Sequence, residues 1–152
     1  NKMKKTYEVN SSTCAIIGIN NKISKVVEKE DEFYVEKSAM SIIDDSCKFF
    51  GSSYMGRFEG TKHLMGINYK SPIIIEETKN IIFFPTSSPR GKECSWISLN
   101  NLTDYKRERK CTTLEFINGY QLELCISFES IENQILRATR LDSVLRRRKI
   151  GE

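Results

Sequence analysis

A chain of 152 residues, 39% hydrophobic and 29% charged, is long enough to bury a core and too apolar to be disordered. No run approaches the length of a membrane span, and the cationic start NKMKKTYEV has no apolar stretch behind it, so no secretory signal is expected there. The net charge of +4 is unevenly spread: residues 137–149 hold six cations against one anion, so this segment carries +5 and the remainder −1. Charge concentrated in this way favours a polyanionic partner, with a solvated helix end as the plainer explanation.

In chain order, residues 7–35 read as β structure. An apolar, branched run at 13–19 is followed by the turn Asn20-Asn21, then by strands at 23–27 and 33–35. The acidic tip between them, 28–32, would repel phosphate and suits a partner protein better. Residues 38–50 fit a helix, with Met40, Ile43, Cys47 and Phe50 on one face, Ser38 as N-cap and Gly51 as the stop.

Within residues 46–62, SCKFFGSSYMGRFEGTK, the part from Gly51 onward is read as a glycine-rich surface loop hung from the end of that helix. Gly51, Gly56 and Gly60 alternate with Ser52, Ser53, Thr61 and the cations Lys48, Arg57 and Lys62. Glycines permit close backbone approach, and hydroxyls, free N–H groups and cations hold phosphate. On residue types alone, a surface loop with solvated charges is favoured over a phosphate-contacting one. The spacing Gly51-x-x-x-x-Gly56 resembles a P-loop, but Arg57-Phe58 stands where Lys and Ser or Thr are needed, which argues against nucleotide hydrolysis.

Residues 61–69 favour a strand, with a helix starting near Glu59 as the alternative. His63 has no second histidine and no adjacent nucleophile. The runs at 72–75 and 81–84 read as central strands around a turn. PTSSPRGK, 85–92, is a loop exposing Arg90 and Lys92, and Trp96, Ile97 and Leu99 begin another strand, with Trp96 in the core. Residues 106–110 form a second cationic cluster. Residues 114–125 are a hairpin marked by Asn118-Gly119. A three-residue loop, 117–119, sets Phe116 opposite Tyr120 and Leu114 opposite Leu122, keeping one face apolar, and puts Gly119 in the left-handed position. Ser127 caps a final helix whose stripe, Phe128, Ile131, Ile135, Ala138, Leu141 and Leu145, faces the core, with Arg137 and Arg140 on another side.

Five cysteines, Cys14, Cys47, Cys94, Cys111 and Cys125, contain no C-x-x-C pair, and His63 is the sole histidine, so no zinc site is expected. Several of these thiols sit among apolar residues, where a reduced cysteine acts as a small hydrophobe. The expected fold class is α+β: a single β-rich domain over 1–152 with loose ends at about 1–5 and 147–152. A mainly antiparallel sheet would carry a helix near 38–50 and the C-terminal helix packed on it. The protein is expected to be reduced and intracellular, with no cofactor.

The run Cys47-x-Phe49-Phe50-Gly51-Ser52-Ser53-Tyr54-x-Gly56-Arg57, then Gly60-Thr61, resembles the ComK family of competence transcription factors. Ordered matches follow at Pro72-Ile73, Phe84-Pro85-Thr86 with Ser88, Cys94-x-Trp96-Ile97-Ser98, Ile126-Ser127 and Glu132-Asn133-Gln134. The likeness runs from Tyr7-Glu8-Val9 to about Leu141. It implies a non-enzymatic, DNA-binding activator of DNA-uptake genes in the bacterial cytoplasm, at the nucleoid. Such proteins bind paired AT-rich boxes of double-stranded DNA as dimers that pair into tetramers, and the adaptor MecA delivers them to the Clp protease. Some members continue well beyond the point where this chain stops.

AT-rich tracts narrow the minor groove and deepen its negative potential, which attracts inserted Arg or Lys. Within the matching motif, Arg57 is the expected inserted cation, with Ser52, Ser53, Thr61 and Lys62 on phosphate nearby and Tyr54 also at the DNA. Arg90 and Lys92 would make a second loop contact, and Arg137 and Arg140 would hold the backbone from the helix. Three other readings stand beside this one: the C-terminal helix entering the major groove, a protein-interaction module that does not bind DNA, and an enzyme using a cysteine with His63, for which no motif speaks.

Overall fold

The structure, a computed structural model, describes residues 3–151. Its elements are β1 (Met3–Lys4), β2 (Thr13–Gly18), β3 (Ser24–Glu28), β4 (Glu32–Val35), α1 (Ala39–Phe49), α2 (Tyr54–Met65), β5 (Ile73–Glu76), β6 (Ile81–Pro85), β7 (Trp96–Ser98), β8 (Leu102–Glu108), β9 (Cys111–Phe116), β10 (Gln121–Leu124) and α3 (Phe128–Ile150). Seven strands form one sheet in the order β1-β4-β3-β2-β7-β6-β5, antiparallel except where β1 meets β4. The other three form an antiparallel sheet in the order β10-β9-β8.

Successive side chains of a strand point to opposite faces, and the isoleucine runs are divided in this way. Ile73, Ile75, Ile81 and Phe83 join Ile16, Trp96 and the inner face of α1 (Ala39, Ile42, Ile43, Cys47) in one buried cluster. Ile74, Ile82, Phe84 and Ile97 point the other way, into Leu114 and Phe116 of the small sheet and Ile131, Ile135, Ala138, Leu141 and Leu145 of α3. The large sheet is therefore covered by α1 on one face and by α3 with the small sheet on the other. A bulge between Thr13 and Ala15 puts the neighbours Cys14 and Ala15 on the same face, where both are buried. Each fully buried Ile or Phe contributes roughly 1.5–3 kcal/mol, so both faces are needed to offset chain entropy.

The α+β class, the antiparallel sheet and the packed C-terminal helix are as expected. Ser38 and Ser127 cap α1 and α3, their side chains accepting from the N–H groups of Ser41 and Ser130. Leu114 lies opposite Leu122, Phe116 N–H donates to Tyr120 at 3.0 Å, and Gly119 has φ of +87°, which is the three-residue register. Trp96 is fully buried. Of the ends expected to be loose, Met3–Lys4 pairs with Tyr34 and Val35 and α3 continues to Ile150, while residues 1, 2 and 152 lie outside the described range.

Two expectations need correction. The glycine-rich segment is not a loop: Tyr54 to Met65 is helical and only 50–53 form a turn. The strand favoured at 61–69 is absent, its first half being the end of α2. The cationic cluster at 106–110 is the end of β8 and its turn into β9, with Arg109 at φ of +57°. Cations along this edge strand, Lys106 and Arg107 among them, deter strand-to-strand aggregation. Among the described residues no helix is long and apolar enough to cross a membrane.

Candidate nucleic-acid interface

α2 covers the β5 edge of the large sheet. The Thr61 hydroxyl, fully buried, donates to Pro72 O at 3.1 Å just ahead of β5. Gly56 and Gly60 each cost a helix interior about 1 kcal/mol relative to Ala, so this helix needs support from outside itself. Its termini supply some. Ser53 caps it, accepting from Gly56 N–H at 2.9 Å; Asp44 of α1 accepts from Tyr54 N–H at 2.9 Å; and Gly66, at φ of +72°, closes the last turn onto Lys62 O. A Cβ at Gly56 would lie 2.8 Å from Ser52 Oγ, so a side chain there would make the Ser52 hydroxyl turn aside.

Asp44 also pairs with Lys48 at 3.0 Å. The Tyr54 N–H bond first, and Lys48 second, hold its carboxyl below the usual carboxylate range. A depressed folded pKa contributes stability that is present above the unfolded value, about 3.9, and is lost as pH falls through the folded one. Urea unfolding of wild type and Asp44→Asn as pH falls below about 4 should therefore converge. A gap that stays constant with pH would remove this role.

The second wall is the 86–95 loop. Thr86 and Ser95 close it, with Thr86 N–H on Ser95 O at 2.9 Å and Ser95 N–H on Thr86 Oγ1 at 3.1 Å. Inside it the Cys94 thiol donates to Ser87 O, and Gly91 N–H to Ser88 O. β2 passes so close that a Cβ on Gly18 would sit 2.4 Å from Cys94 O. These contacts hold Arg90 and Lys92 outward, both exposed.

Between α2, this loop and the Tyr69-Lys70 turn lies a groove of about 400 Å³ lined by Tyr54, Met55, Phe58, Tyr69, Lys70, Ser88, Pro89 and Arg90. Tyr54, Phe58 and Lys62 recur at i, i+4, i+8 and share one side of α2. The Tyr54 ring meets buried Trp96 edge-on at 6.1 Å. Lys70 has φ of +45°, and its carbonyl is held by Gln134 Nε2 of α3 at 2.9 Å.

The ten residues expected to meet DNA separate by exposure. Lys62, Arg90, Lys92 and Arg140 are exposed, and none joins an ion pair among the described residues. Tyr54 lines the groove. Ser52 and Ser53 form the turn, Ser53 already engaged as cap. Arg57 points inward: only 16% of its side chain is exposed, its guanidinium pairs with Glu77 at 3.2 Å, and its Nε is buried without a partner. It is thus not the free cation on a flexible loop that residue types suggest. Thr61 is sealed on the buried side of α2. Arg137 donates to Gln134 Oε1 at 2.6 Å and Tyr69 O at 2.8 Å and lies over the Tyr69 ring, so it braces the turn. Burial holds its pKa below the usual arginine range. Sequence reasoning missed Met55, Phe58, Tyr69 and Lys70; the i, i+4 pair Tyr54/Phe58 is the signal that a helical reading would have revealed.

Comparison with known proteins adds to this geometry. The ComK protein family matches residues 4–149. The competence transcription factor of Bacillus subtilis (strain 168) is 43% identical over 136 residues, covering 87% of this chain and 71% of that protein. No solved structure matches the chain. The class so defined is a transcription factor of competence and not an enzyme. The chain belongs to the ComK family.

Proposed function

We propose that this protein activates competence genes by binding paired AT-rich boxes in double-stranded DNA, with the groove between α2 and the 86–95 loop as its contact face. The observation that carries the reading is a set of exposed cations that join no ion pair among the described residues: Arg90 lining the groove, Lys92 on the same braced loop, Lys62 on α2, and Arg140 one turn past the Arg137 brace. Arg90 takes the place of Arg57 as the side chain that enters the narrowed minor groove of an A-tract, where negative potential is greatest. Lys62, Lys92 and Arg140 engage phosphates, and Ser52, Ser53 and Tyr54 support the approach. Arg57, Thr61 and Arg137 act by holding α2 and the Tyr69-Lys70 turn in place. Assembly of dimers on paired boxes, action in the cytoplasm at the nucleoid, and delivery by MecA to the Clp protease belong to the same reading, and rest on the family resemblance.

α2 being a helix gives a second reading, in which it lies in the major groove. Inosine·cytosine pairs keep the minor-groove pattern of adenine·thymine and change the major-groove one. Titration of AT-rich, GC-rich and inosine-substituted duplexes at several salt concentrations is expected to show preference for the first and third. Loss on inosine substitution moves contact to the major groove, and equal affinity for all three overturns sequence preference.

A further inference from the structure

Two thiols outside the groove form a pair that the proposed function does not use. In the β9–β10 hairpin Phe116 N–H donates to Tyr120 O at 3.0 Å, making that pair a hydrogen-bonded one. Antiparallel pairs alternate between hydrogen-bonded and non-hydrogen-bonded types. Leu114–Leu122 and Thr112–Leu124 are in register, so the next rung is Cys111 opposite Cys125, a non-hydrogen-bonded pair. At such a pair the Cα atoms approach to about 4.5 Å and the side chains lie closest, within the span of a disulfide. Thr112, Leu114 and Phe116 point into the core, so Cys111 and Cys125 point outward. Cys111 is half-buried, Cys125 is exposed, and both are free thiols.

We propose that Cys111 and Cys125 form a reversible redox site, closed to a cross-strand disulfide by a hydroperoxide. The Cys125 thiolate attacks the peroxide; an S–O bond forms, the O–O bond breaks, and the departing alkoxide or hydroxide takes a proton. Cys111 then gives up its proton and its sulfur attacks the sulfur of the Cys125 sulfenic acid. The S–S bond forms as S–O breaks, and the oxygen leaves as water. Two thiols are oxidised by two electrons, and one peroxide is reduced to an alcohol or water plus water. The roles follow from exposure: Cys125 meets the oxidant, while the hydrogen bond to Cys125, partial burial and the Glu123 and Glu108 carboxylates hold the Cys111 thiol above its ordinary pKa. The other three cysteines are fully or almost fully buried, and burial pushes the Cys47 thiol up to about 12, so they serve as internal controls. Closure ties the last rung before Ile126, whose carbonyl accepts from the Thr112 hydroxyl at 2.8 Å, and so clamps the start of α3.

The test treats the folded full chain with hydrogen peroxide, alkylates remaining thiols and digests with trypsin. No Lys or Arg lies between Lys110 and Arg137, so both cysteines fall in one peptide. It is expected to lose both alkyl groups, to be two hydrogens lighter and to regain both groups after dithiothreitol, with the chain monomeric on a non-reducing gel. Cys111→Ser should instead give sulfinic Cys125 or linked chains. Wild type that stays fully alkylated while exposed Met55 is oxidised, or that behaves as Cys111→Ser does, overturns the proposal.

Discussion

Gln134→Leu is expected to lower the free energy of unfolding by about 3 kcal/mol, one of the largest losses available from a single polar side chain here. Gln134 is 3% exposed. Its Nε2 donates to Pro85 O at 2.8 Å and Lys70 O at 2.9 Å, and its Oε1 accepts from Arg137. Leucine nearly conserves volume, so no large cavity is made. It leaves two carbonyls and one guanidinium short of a partner, at roughly 1–3 kcal/mol for a buried neutral group. Added apolar burial offsets part of this. Urea unfolding should show a lower midpoint at unchanged slope, the sign of altered stability rather than altered compactness. A loss under about 1 kcal/mol would mean that water or relaxation satisfies these groups. The same substitution removes one of the two α3 side chains that hold the Tyr69-Lys70 turn, so the groove should loosen before the sheet does.

The sequence was most legible where one local signal and the tertiary environment agree. The β9–β10 register follows from keeping Leu114 and Phe116 on one face, because a one-residue slip would bury Gln121 and Glu123. The stripe from Ile131 to Leu145 repeats at helical spacing over four turns, and no other element competes for it. α2 was misread because its local signals oppose its structure: Gly56 and Gly60 disfavour a helix, and no continuous apolar face announces one. It is held by Asp44, by the Pro72 carbonyl that takes the Thr61 hydroxyl, and by the β5 edge, partners that lie elsewhere in the chain. Arg57 followed the same error. On a loop its guanidinium would be free; one residue into a helix's second turn it is turned toward Glu77. β8 was missed because its outward face is almost wholly charged, and only its pairing with β9 makes it a strand.

The outward cations are the proposed electrostatic contact, and their removal carries the larger functional prediction. The double variant Arg90→Ala/Lys92→Ala is expected to bind an AT-rich duplex roughly 10- to 100-fold more weakly near 0.1 M salt. Each phosphate neutralised contributes about 0.9 to the slope of log affinity against log salt, so the double variant should flatten that slope by up to about 2. Adding Lys62→Ala should flatten it further, because Lys62 sits on the same side of α2 as the groove-lining rings. Stability should hardly change, since none of the three side chains joins an ion pair among the described residues. Arg57→Ala gives the opposite pattern: it breaks the Glu77 pair and removes a largely buried side chain, so unfolding free energy falls while the salt slope of the folded protein holds. If the slope instead drops by about 1 in Arg57→Ala and stays fixed in the Arg90/Lys92 variant, Arg57 leaves Glu77 for phosphate on binding, and the contact face belongs at the start of α2.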